Sequence, residues 1–383
     1  MTRFPSLRCI ASWTRLAGAA ALGLALGACG GGSGPDSVGA LRLIGQVQIP
    51  TKTQFQGVEF GGISALDRAP DGSYWALSDE RGGERGTPRF YKLAMDLDLN
   101  SFKSVQVHSM VYLRGPDGLP MSSTSRTVDP EGLRVAPNGK LYISSEGNWS
   151  TNPAQMFQPF VREFNTDGSH VRQFETPAAF NYVDNSTRGG RSNKLFEALA
   201  VTPSGQIFTA NEDALIEDGP ITSLNAGSVI RVVQLDPVTG KTVAQYAYAL
   251  PKIPVAAAAN ARFAPDNGLP ELLAVSEREF IAVERAFADG VGNTIRLVRT
   301  RIEADSTDVS RLTSLVGARY TPMTREVLLE MPITYQGVKL DNIEGLSWGP
   351  VLANGHRSLV LVADNNFDDS QSTQFLAFEV LPK

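Results

Sequence analysis

Hydrophobic and polar positions alternate in short runs along most of this chain. Residues 131–146 give the clearest example, because an apolar run leads into a Pro-Asn-Gly turn and a second apolar run follows it. Short runs rich in β-branched and aromatic residues, bounded by Gly, Pro, Asn and Asp, are typical of β-strands. The segment is therefore predicted to be a β-hairpin. No long stretch of the chain has the 3.6-residue periodicity of an amphipathic helix.

The same predicted hairpin recurs along the chain. Residues 64–79, 131–146 and 197–212 each have Leu at the third position, Pro-X-Gly in the middle and an acid at the end, and they begin 67 and then 66 residues apart. Looser copies with longer turns occupy residues 262–277 and 344–364. Five copies of a strand–turn–strand unit predict an all-β fold of the β-propeller class.

The spacing of the copies also bears on the number of blades. A period of 66 residues exceeds the 40 to 50 or so that are usual for one blade, so long loops or additional strands are expected. We expect six blades, five of them visible as repeats and the sixth closed by the strand Leu41 to Ile49. A second motif, Phe55 to Glu59, resembles Tyr335 to Lys339 and precedes the first and fifth copies respectively.

Acidic residues bracket these hairpins. Both ends of a hairpin lie away from its turn, and propeller blades surround one axis in the same orientation. Acids at equivalent positions are therefore expected to gather on one face, near the central channel. The predicted set is Asp79, Glu131, Glu146, Glu197, Glu212, Glu277, Glu344 and Asp364.

So many neighbouring carboxylates repel one another and need cations, raised pKa values or basic partners. Ca²⁺ is the cation that accepts the most oxygen ligands with the loosest geometry. The candidate metal ligands are Glu131, Glu197, Glu212 and Glu344, followed by Glu146 and Asp364. Alternatively, the repeated acids only hold neighbouring blades together. Arg278 is the candidate contact for an anionic substrate, and other basic residues near the acids in sequence are Arg81, Arg126, Arg188, Arg191 and Lys194.

The N-terminus has the features of a bacterial lipoprotein signal. A basic start precedes an apolar run, Leu16 to Leu26, that is too short to span a bilayer, and Leu26 to Cys29 resembles a lipobox. The predicted organisation is a signal peptide over residues 1–28, a lipidated Cys29 with a Gly/Ser tether over residues 29–38, and a propeller domain over residues 39–383. We expect a protein of the cell envelope, held at the outer membrane or the cell surface by its lipid alone.

The amino-acid composition limits which partners, nucleophiles and metal ions are expected. Hydrophobic residues make up 42% of the 383 residues and charged residues 20%, which is typical of a globular protein. Removal of the signal would leave 32 basic and 40 acidic residues, a net charge of −8 that disfavours nucleic acid as a partner. Both cysteines, Cys9 and Cys29, precede the domain, so it has neither a disulfide nor a thiol nucleophile. Three scattered histidines and no thiolate disfavour zinc.

Nine short segments are spread across nearly all of the predicted domain: Phe60–Leu66, Ala76–Glu80, Asp129–Leu133, Ser144–Gly147, Phe196–Leu199, Asn211–Glu212, Ser276–Arg278, Asn342–Leu346 and Ala363–Phe367. Together, and in this order, they resemble the phytase-like family known as "esterase-like activity of phytase". The resemblance implies an exported β-propeller that hydrolyses phosphate or carboxylate esters. Calcium-dependent propeller phytases hold several Ca²⁺ ions on an acidic channel face, and the ring predicted here is similar in kind.

Three functions are compatible with the sequence. The first is a lipid-anchored, Ca²⁺-dependent hydrolase of a small phosphate or other ester. The second is a non-catalytic propeller of the cell envelope that binds a sugar, a peptide or a protein on the same face. The third is a lactone hydrolase with a single metal ion.

Overall fold

The computed structural model describes residues 38–80, 86–121, 128–183 and 187–383. Within these ranges the protein is all-β apart from three 3₁₀ turns, at Pro153–Gln155, Ala178–Phe180 and Ile216–Asp218. The predicted signal peptide, Cys29 and nearly all of the tether lie outside the described residues, so export and lipidation stay predictions. In the part of the chain that is described, no helix is long and apolar enough to cross a membrane.

Five antiparallel four-stranded sheets form the blades, and two short hairpins accompany them. The chain begins with β1 (Ala40–Pro50) and a hairpin of β2 (Gln54–Phe55) and β3 (Val58–Glu59). Blade 1 contains β4 (Ile63–Arg68), β5 (Tyr74–Ser78), β6 (Arg89–Leu97) and β7 (Phe102–Tyr112). Blade 2 contains β8 (Pro130–Val135), β9 (Leu141–Ser145), β10 (Phe160–Phe164) and β11 (His170–Gln173). Blade 3 contains β12 (Phe196–Val201), β13 (Ile207–Asn211), β14 (Ser228–Leu235) and β15 (Thr242–Leu250).

The remaining strands complete the ring. Blade 4 contains β16 (Asp266–Ala274), β17 (Glu279–Ala288), β18 (Gly292–Arg301) and β19 (Thr324–Met331). A second hairpin follows, of β20 (Thr334–Tyr335) and β21 (Val338–Lys339). Blade 5 contains β22 (Asn342–Trp348), β23 (Ser358–Asp364) and β24 (Ser372–Leu381), with β1 as its fourth strand.

The propeller is confirmed, and the described residues form five blades rather than six. The strand expected to close a sixth blade lies within β1, which pairs with β24 from Ala40 opposite Leu381 to Pro50 opposite Ser372. The two ends of the domain therefore meet in blade 5. The long repeat period comes from the loops between strands, not from an additional blade.

The two short hairpins have the same type of turn. Gln56 and Gly57 have φ values of 52° and 79°, and Gln336 and Gly337 have 47° and 81°. Positive φ at both central residues is characteristic of the type I′ turn, whose twist matches a two-residue hairpin. The repeated Gln-Gly-Val motif thus encodes one structure twice, before β4 and before β22.

Apolar side chains fill the space between neighbouring blades. One cluster lies between blades 1 and 2, where Leu77 and Phe90 meet Leu133 and Ile143. Corresponding clusters join blades 2 and 3, 3 and 4, 4 and 5, and 5 and 1. Each blade is therefore buried on both faces, which is why its inner strands are almost continuously apolar.

A polar hub crosses the axis where the innermost strands β4, β8, β12, β16 and β22 meet. Arg134 of β8 donates from Nη1 to Leu66 O of β4 (2.9 Å) and from Nη2 to Leu272 O of β16 (2.8 Å), and its Nη2 lies 2.8 Å from Glu271 Oε2. Leu199 N–H of β12 donates to Glu271 Oε1 (3.1 Å).

The innermost strand of blade 5, β22, joins this hub through a carboxylate. Asp67 of β4 accepts from Ser347 Oγ of β22 (3.2 Å) and from Val135 N–H of β8 (2.9 Å). Burial raises the pKa of Asp67, and the positive charge of Arg134 opposes that rise. All five inner strands are thus tied to one buried guanidinium or to its acidic neighbours.

Replacement of Arg134 tests the hub. Arg134→Met should lower the free energy of unfolding by about 3–5 kcal/mol, because it leaves Glu271 and Asp67 buried without their counter-charge. Urea denaturation measures the change. The matched control is Arg301→Met, which breaks the partly exposed pair with Glu279 (2.6 Å) and should cost about 1 kcal/mol or less. Equal losses in the two variants would contradict the assignment of the hub.

Candidate metal centre

A cavity of about 860 Å³ opens on one face of the propeller, at the hairpin ends opposite the Pro-X-Gly turns. Its acidic lining includes Asp79, Glu131, Glu197, Glu212, Asp266, Glu344 and Asp364. Glu146, which is 1% exposed, lies directly behind this surface, among the same carboxylates. All six candidate ligands named from the sequence are therefore at the same end of the axis.

A β-bulge in the innermost strand positions the first acid of three hairpins. In blade 3, Phe196 pairs with Asn211 and Ala198 with Ala210, so Glu197 has no partner in the ladder. The register shifts at the same point around Glu131 in blade 2 and Glu344 in blade 5. A bulge turns an additional residue out of the regular alternation, and here the additional residue is the cavity glutamate. Ser64 occupies this position in blade 1.

Two clusters of three carboxylates have the spacing of a cation site. Asp129, Glu131 and Glu146 form one cluster, and Glu146, Glu197 and Glu212 form the other; in each, one oxygen from every member lies within 4.8 Å of the others. Oxygen ligands of Ca²⁺ lie 2.3–2.6 Å from the ion, so two of them can be up to about 5 Å apart. Glu146 belongs to both clusters, so it would either bridge two neighbouring ions or bind a single one.

Glu146 and Glu197 each have a buried oxygen, Oε2, without a hydrogen-bond partner in the described part of the chain. The other oxygen of Glu146 accepts from Leu195 N–H, which fixes the direction of the side chain. A buried carboxylate oxygen without a donor is costly unless it is protonated or bound to a cation. The donor set, all hard oxygens, fits Ca²⁺.

The charge accumulated here changes proton affinity. Burial, with the nearby charges of Asp129 and Glu212, raises the pKa of Glu146 to about 8. Burial and neighbouring carboxylates likewise raise the pKa values of Glu131 and Glu197 well above the usual range. Without a cation, these carboxyls therefore keep their protons to a higher pH than an ordinary glutamate does.

Two basic residues offset the outer part of the cluster. Lys194 Nζ donates to Glu212 Oε2 (2.6 Å) and to Asp266 Oδ2 (2.5 Å). Arg285 Nη2 donates to Glu212 Oε1 (3.3 Å) and to Glu344 Oε1 (3.2 Å). Burial alone would lower the pKa of Lys194, but the charges of Glu212 and Asp266 outweigh it and raise that pKa. Glu212 is therefore held between two cations, whereas Glu146 and Glu197 carry the oxygens that lack a donor.

Two residues predicted for this face lie elsewhere. Glu277 and Arg278 belong to the turn between β16 and β17, at the far end of blade 4. Glu277 accepts from Ser204 N–H (2.7 Å), in the Pro-Ser-Gly turn of the neighbouring blade 3. Arg278 donates to Ile302 O and Glu303 O (both 2.7 Å). The structure thus corrects the prediction that Arg278 contacts an anionic substrate in the acidic cavity.

The misplacement has a definite cause. The sequence repeat predicts that the fourth copy ends at Glu277, but the hairpin runs from Asp266 to Ala288, with its turn after Ala274. Gly268 pairs with Arg285 directly before the bulge of this blade. The residues that follow them, Leu269 on β16 and Ala286 on β17, occupy the positions that acids hold in blades 2 and 3. Blade 4 therefore contributes Asp266 and Arg285 to the cavity, and neither was identified from the repeat. Asp129, two residues before Glu131, was also missed.

An all-β ring of blades around an acidic cavity defines the protein as a β-propeller with a candidate metal centre. The family model described as "Phytase-like: Esterase-like activity of phytase" matches residues 58–367, and the chain belongs to this family. The family predicted from the sequence is therefore confirmed. No match was found among curated proteins.

Solved structures with similar chain paths are distant in sequence. A protein of unknown function from Dyadobacter fermentans has 11% identity and a TM-score of 0.40, covering 89% of this chain and 100% of its own. The periplasmic gluconolactonase of Pseudomonas aeruginosa has 14% identity and a TM-score of 0.35, covering 90% and 97%. A glycosyl hydrolase from Bacteroides ovatus has 12% identity and a TM-score of 0.42, covering 92% and 94%. These values are too low to transfer an activity.

The raised pKa of Glu146 predicts how stability depends on pH. Because its pKa of about 8 in the folded protein exceeds the ordinary 4.5, the metal-free protein should lose stability as pH rises from about 4.5 to 8. Glu146→Gln mimics the protonated side chain and should remove part of that loss. We expect the variant to be more stable than the parent at pH 8 by on the order of 1–3 kcal/mol, with little difference at pH 5.

Unfolding in chelator at the two pH values measures this effect. The matched control is Glu163→Gln, which removes a carboxylate that accepts from Asn138 (3.0 Å) and Arg172 (2.6 Å). The hydrogen bonds of Asn138 and Arg172 outweigh the effect of burial and lower the pKa of Glu163, so this variant should be less stable at pH 8. Destabilisation by Glu146→Gln at pH 8 would contradict the repulsion inferred for the site.

Proposed function

We propose that this protein is a Ca²⁺-dependent hydrolase that acts on phosphate or other esters in the acidic cavity. The observation that carries the proposal is the pair of carboxylate clusters sharing Glu146, with buried oxygens of Glu146 and Glu197 lacking hydrogen-bond donors. Membership of the phytase-like family supports hydrolysis of an ester as the type of reaction.

The residues have different roles in this proposal. Glu131, Glu146 and Glu197 would hold Ca²⁺ most directly, while Glu212, Glu344 and Asp364 would complete the set of ligands. A bound Ca²⁺ supplies Lewis-acid polarisation of an ester oxygen and makes a neighbouring water easier to deprotonate. Lys194 and Arg285 keep Glu212 oriented, and Asn342 donates to Glu344 Oε1 (2.8 Å) from the opposite side. These contacts hold the carboxylates in position before any ion arrives, as a precise site requires.

The proposal places this activity in the bacterial cell envelope, on a domain anchored by a lipid on Cys29. The basic start, the apolar run and the lipobox in residues 1–29 support that location. Mass spectrometry of the N-terminal peptide should find diacylglycerol on Cys29 and no residue before it. An intact residue 1, or an unmodified Cys29 at the N-terminus, would contradict the anchor.

Removal of two acids tests the metal and the reaction together. The purified protein should bind Ca²⁺ in calorimetry and should hydrolyse at least one member of a panel of phosphate and carboxylate esters, with activity lost in chelator and restored by Ca²⁺. The double variant Glu131→Gln, Glu197→Gln should bind Ca²⁺ at least about 100-fold more weakly, because it removes two anionic ligands.

Glu277→Gln is the matched control. Glu277 was assigned to the same set by its place in the repeat, yet it lies at the opposite end of the propeller, so its replacement should change neither binding nor turnover. Absence of a binding signal at millimolar Ca²⁺ would overturn the metal assignment. Ca²⁺ binding without turnover on any ester would instead favour the non-catalytic propeller that binds a partner on this face.

A further inference from the structure

The wall that blade 4 contributes differs from the rest of the cavity. Residues 285 and 287 are two apart on β17 and therefore project to the same side of the strand. Both Arg285 and Phe287 line the cavity, and Phe263, from the segment before β16, lines it beside them. Among the described lining residues, these two phenylalanines are the aromatic ones. A buried cation and two aromatic side chains thus line the wall formed by β17 and the segment before β16.

Arg285 has N–H donors that its contacts with carboxylates do not use. Its guanidinium carries five N–H donors, and its contacts with Glu212 and Glu344 both use Nη2. Those contacts, at 3.3 and 3.2 Å, are longer than the 2.7–2.9 Å usual for charge-assisted bonds. Nε is buried and has no partner among the described residues. The guanidinium therefore keeps N–H donors for an anion in the cavity while Nη2 holds the two carboxylates.

Phe263 is an exposed aromatic ring on a fixed backbone. Its side chain lies at the cavity with 66% of the residue's surface accessible. The backbone N–H groups of Arg262 and Phe263 both donate to Asp289 Oδ2 (2.5 and 3.1 Å), which ties this segment to the end of β17. A large apolar side chain held beside a polar cavity is a feature of ligand sites, in which apolar surface and a few polar groups act together.

We propose that this wall selects the substrate: a single anionic group lies against Arg285, and an apolar group attached to it covers Phe287 and Phe263. The proposal rests on the ester hydrolase proposed above and names its substrate class as an ester that carries one phosphate or carboxylate anion and an aryl or acyl group. The other blades line the cavity with carboxylates, among them Asp79, Glu131, Glu197 and Asp364, so a second anionic group would meet like charge there. Lys339, the other basic residue lining the cavity in the described ranges, is exposed on β21.

Two phosphonates that are not hydrolysed separate the apolar contact from the anionic one. Phenylphosphonate and methylphosphonate carry the same head group and differ in the apolar group. With Ca²⁺ present, calorimetry on the purified protein should give about tenfold tighter binding for phenylphosphonate, because only its ring covers the phenylalanines. Because the readout is binding, it does not depend on turnover.

Three variants assign the effect to this wall. Phe263→Ala should reduce the preference for phenylphosphonate to about threefold or less and leave methylphosphonate binding unchanged. Arg285→Lys should weaken both ligands by a similar factor of about five to ten, because lysine keeps the charge but loses the planar set of donors. Val316→Ala is the control: it has the same 66% exposure but lies outside the lining of the cavity, and should change neither affinity.

The outcomes separate this inference from the proposed function. Preference for phenylphosphonate that is lost in Phe263→Ala would support the wall even if no ester were ever hydrolysed. Equal binding of the two phosphonates, or an unchanged preference in Phe263→Ala, would overturn the proposed role of this wall in selecting the substrate. That conclusion would hold even if esters were hydrolysed in a Ca²⁺-dependent way.

Discussion

Like-charge repulsion around one axis is the constraint on which the cavity of this propeller depends. Three inner strands each carry a glutamate on a bulge, and the neighbouring strands add Glu146, Glu212 and Asp364. Lys194 and Arg285 compensate Glu212 and its neighbours. For Glu146 and Glu197, deeper in the cluster, burial and the neighbouring acids outweigh the charges of Lys194 and Arg285, so their pKa values stay raised. A divalent cation would relieve it without protons and would use the oxygens that lack donors.

The same five inner strands carry a second polar layer, and the contrast between the two layers is informative. In the hub, Arg134 lies beside Glu271 and Asp67, with backbone groups completing the contacts. There the Arg134 guanidinium partly offsets the rise that burial causes in the pKa values of both carboxyls, as expected of a structural network. In the acidic cavity the acids outnumber the cations among the described residues, and the space beside them is open. The hub is therefore assigned a structural role, whereas ligand binding is expected at the cavity.

The repeat allowed much of this arrangement to be predicted. Alternating apolar runs and Pro-X-Gly turns indicated hairpins, and the constant spacing of the bracketing acids indicated that Glu131, Glu146, Glu197 and Glu212 share one face. The blade count was not predictable, because loop length and an additional blade lengthen the period alike. In blade 4 the longer first strand moved the turn to residues 275–278, so a glutamate in that turn imitated the repeat. The hub joins residues that are 68 and 138 positions apart, and no local pattern marks such contacts.

The central claim is that the clusters around Glu146 hold a cation. Anomalous diffraction from crystals grown with Ca²⁺, and then with Mn²⁺ as a stronger scatterer, tests it most directly. The account predicts a peak about 2.3–2.6 Å from carboxylate oxygens of at least two residues among Glu131, Glu146 and Glu197. A cavity without any peak at millimolar Ca²⁺, with these three side chains in the positions described, would contradict it.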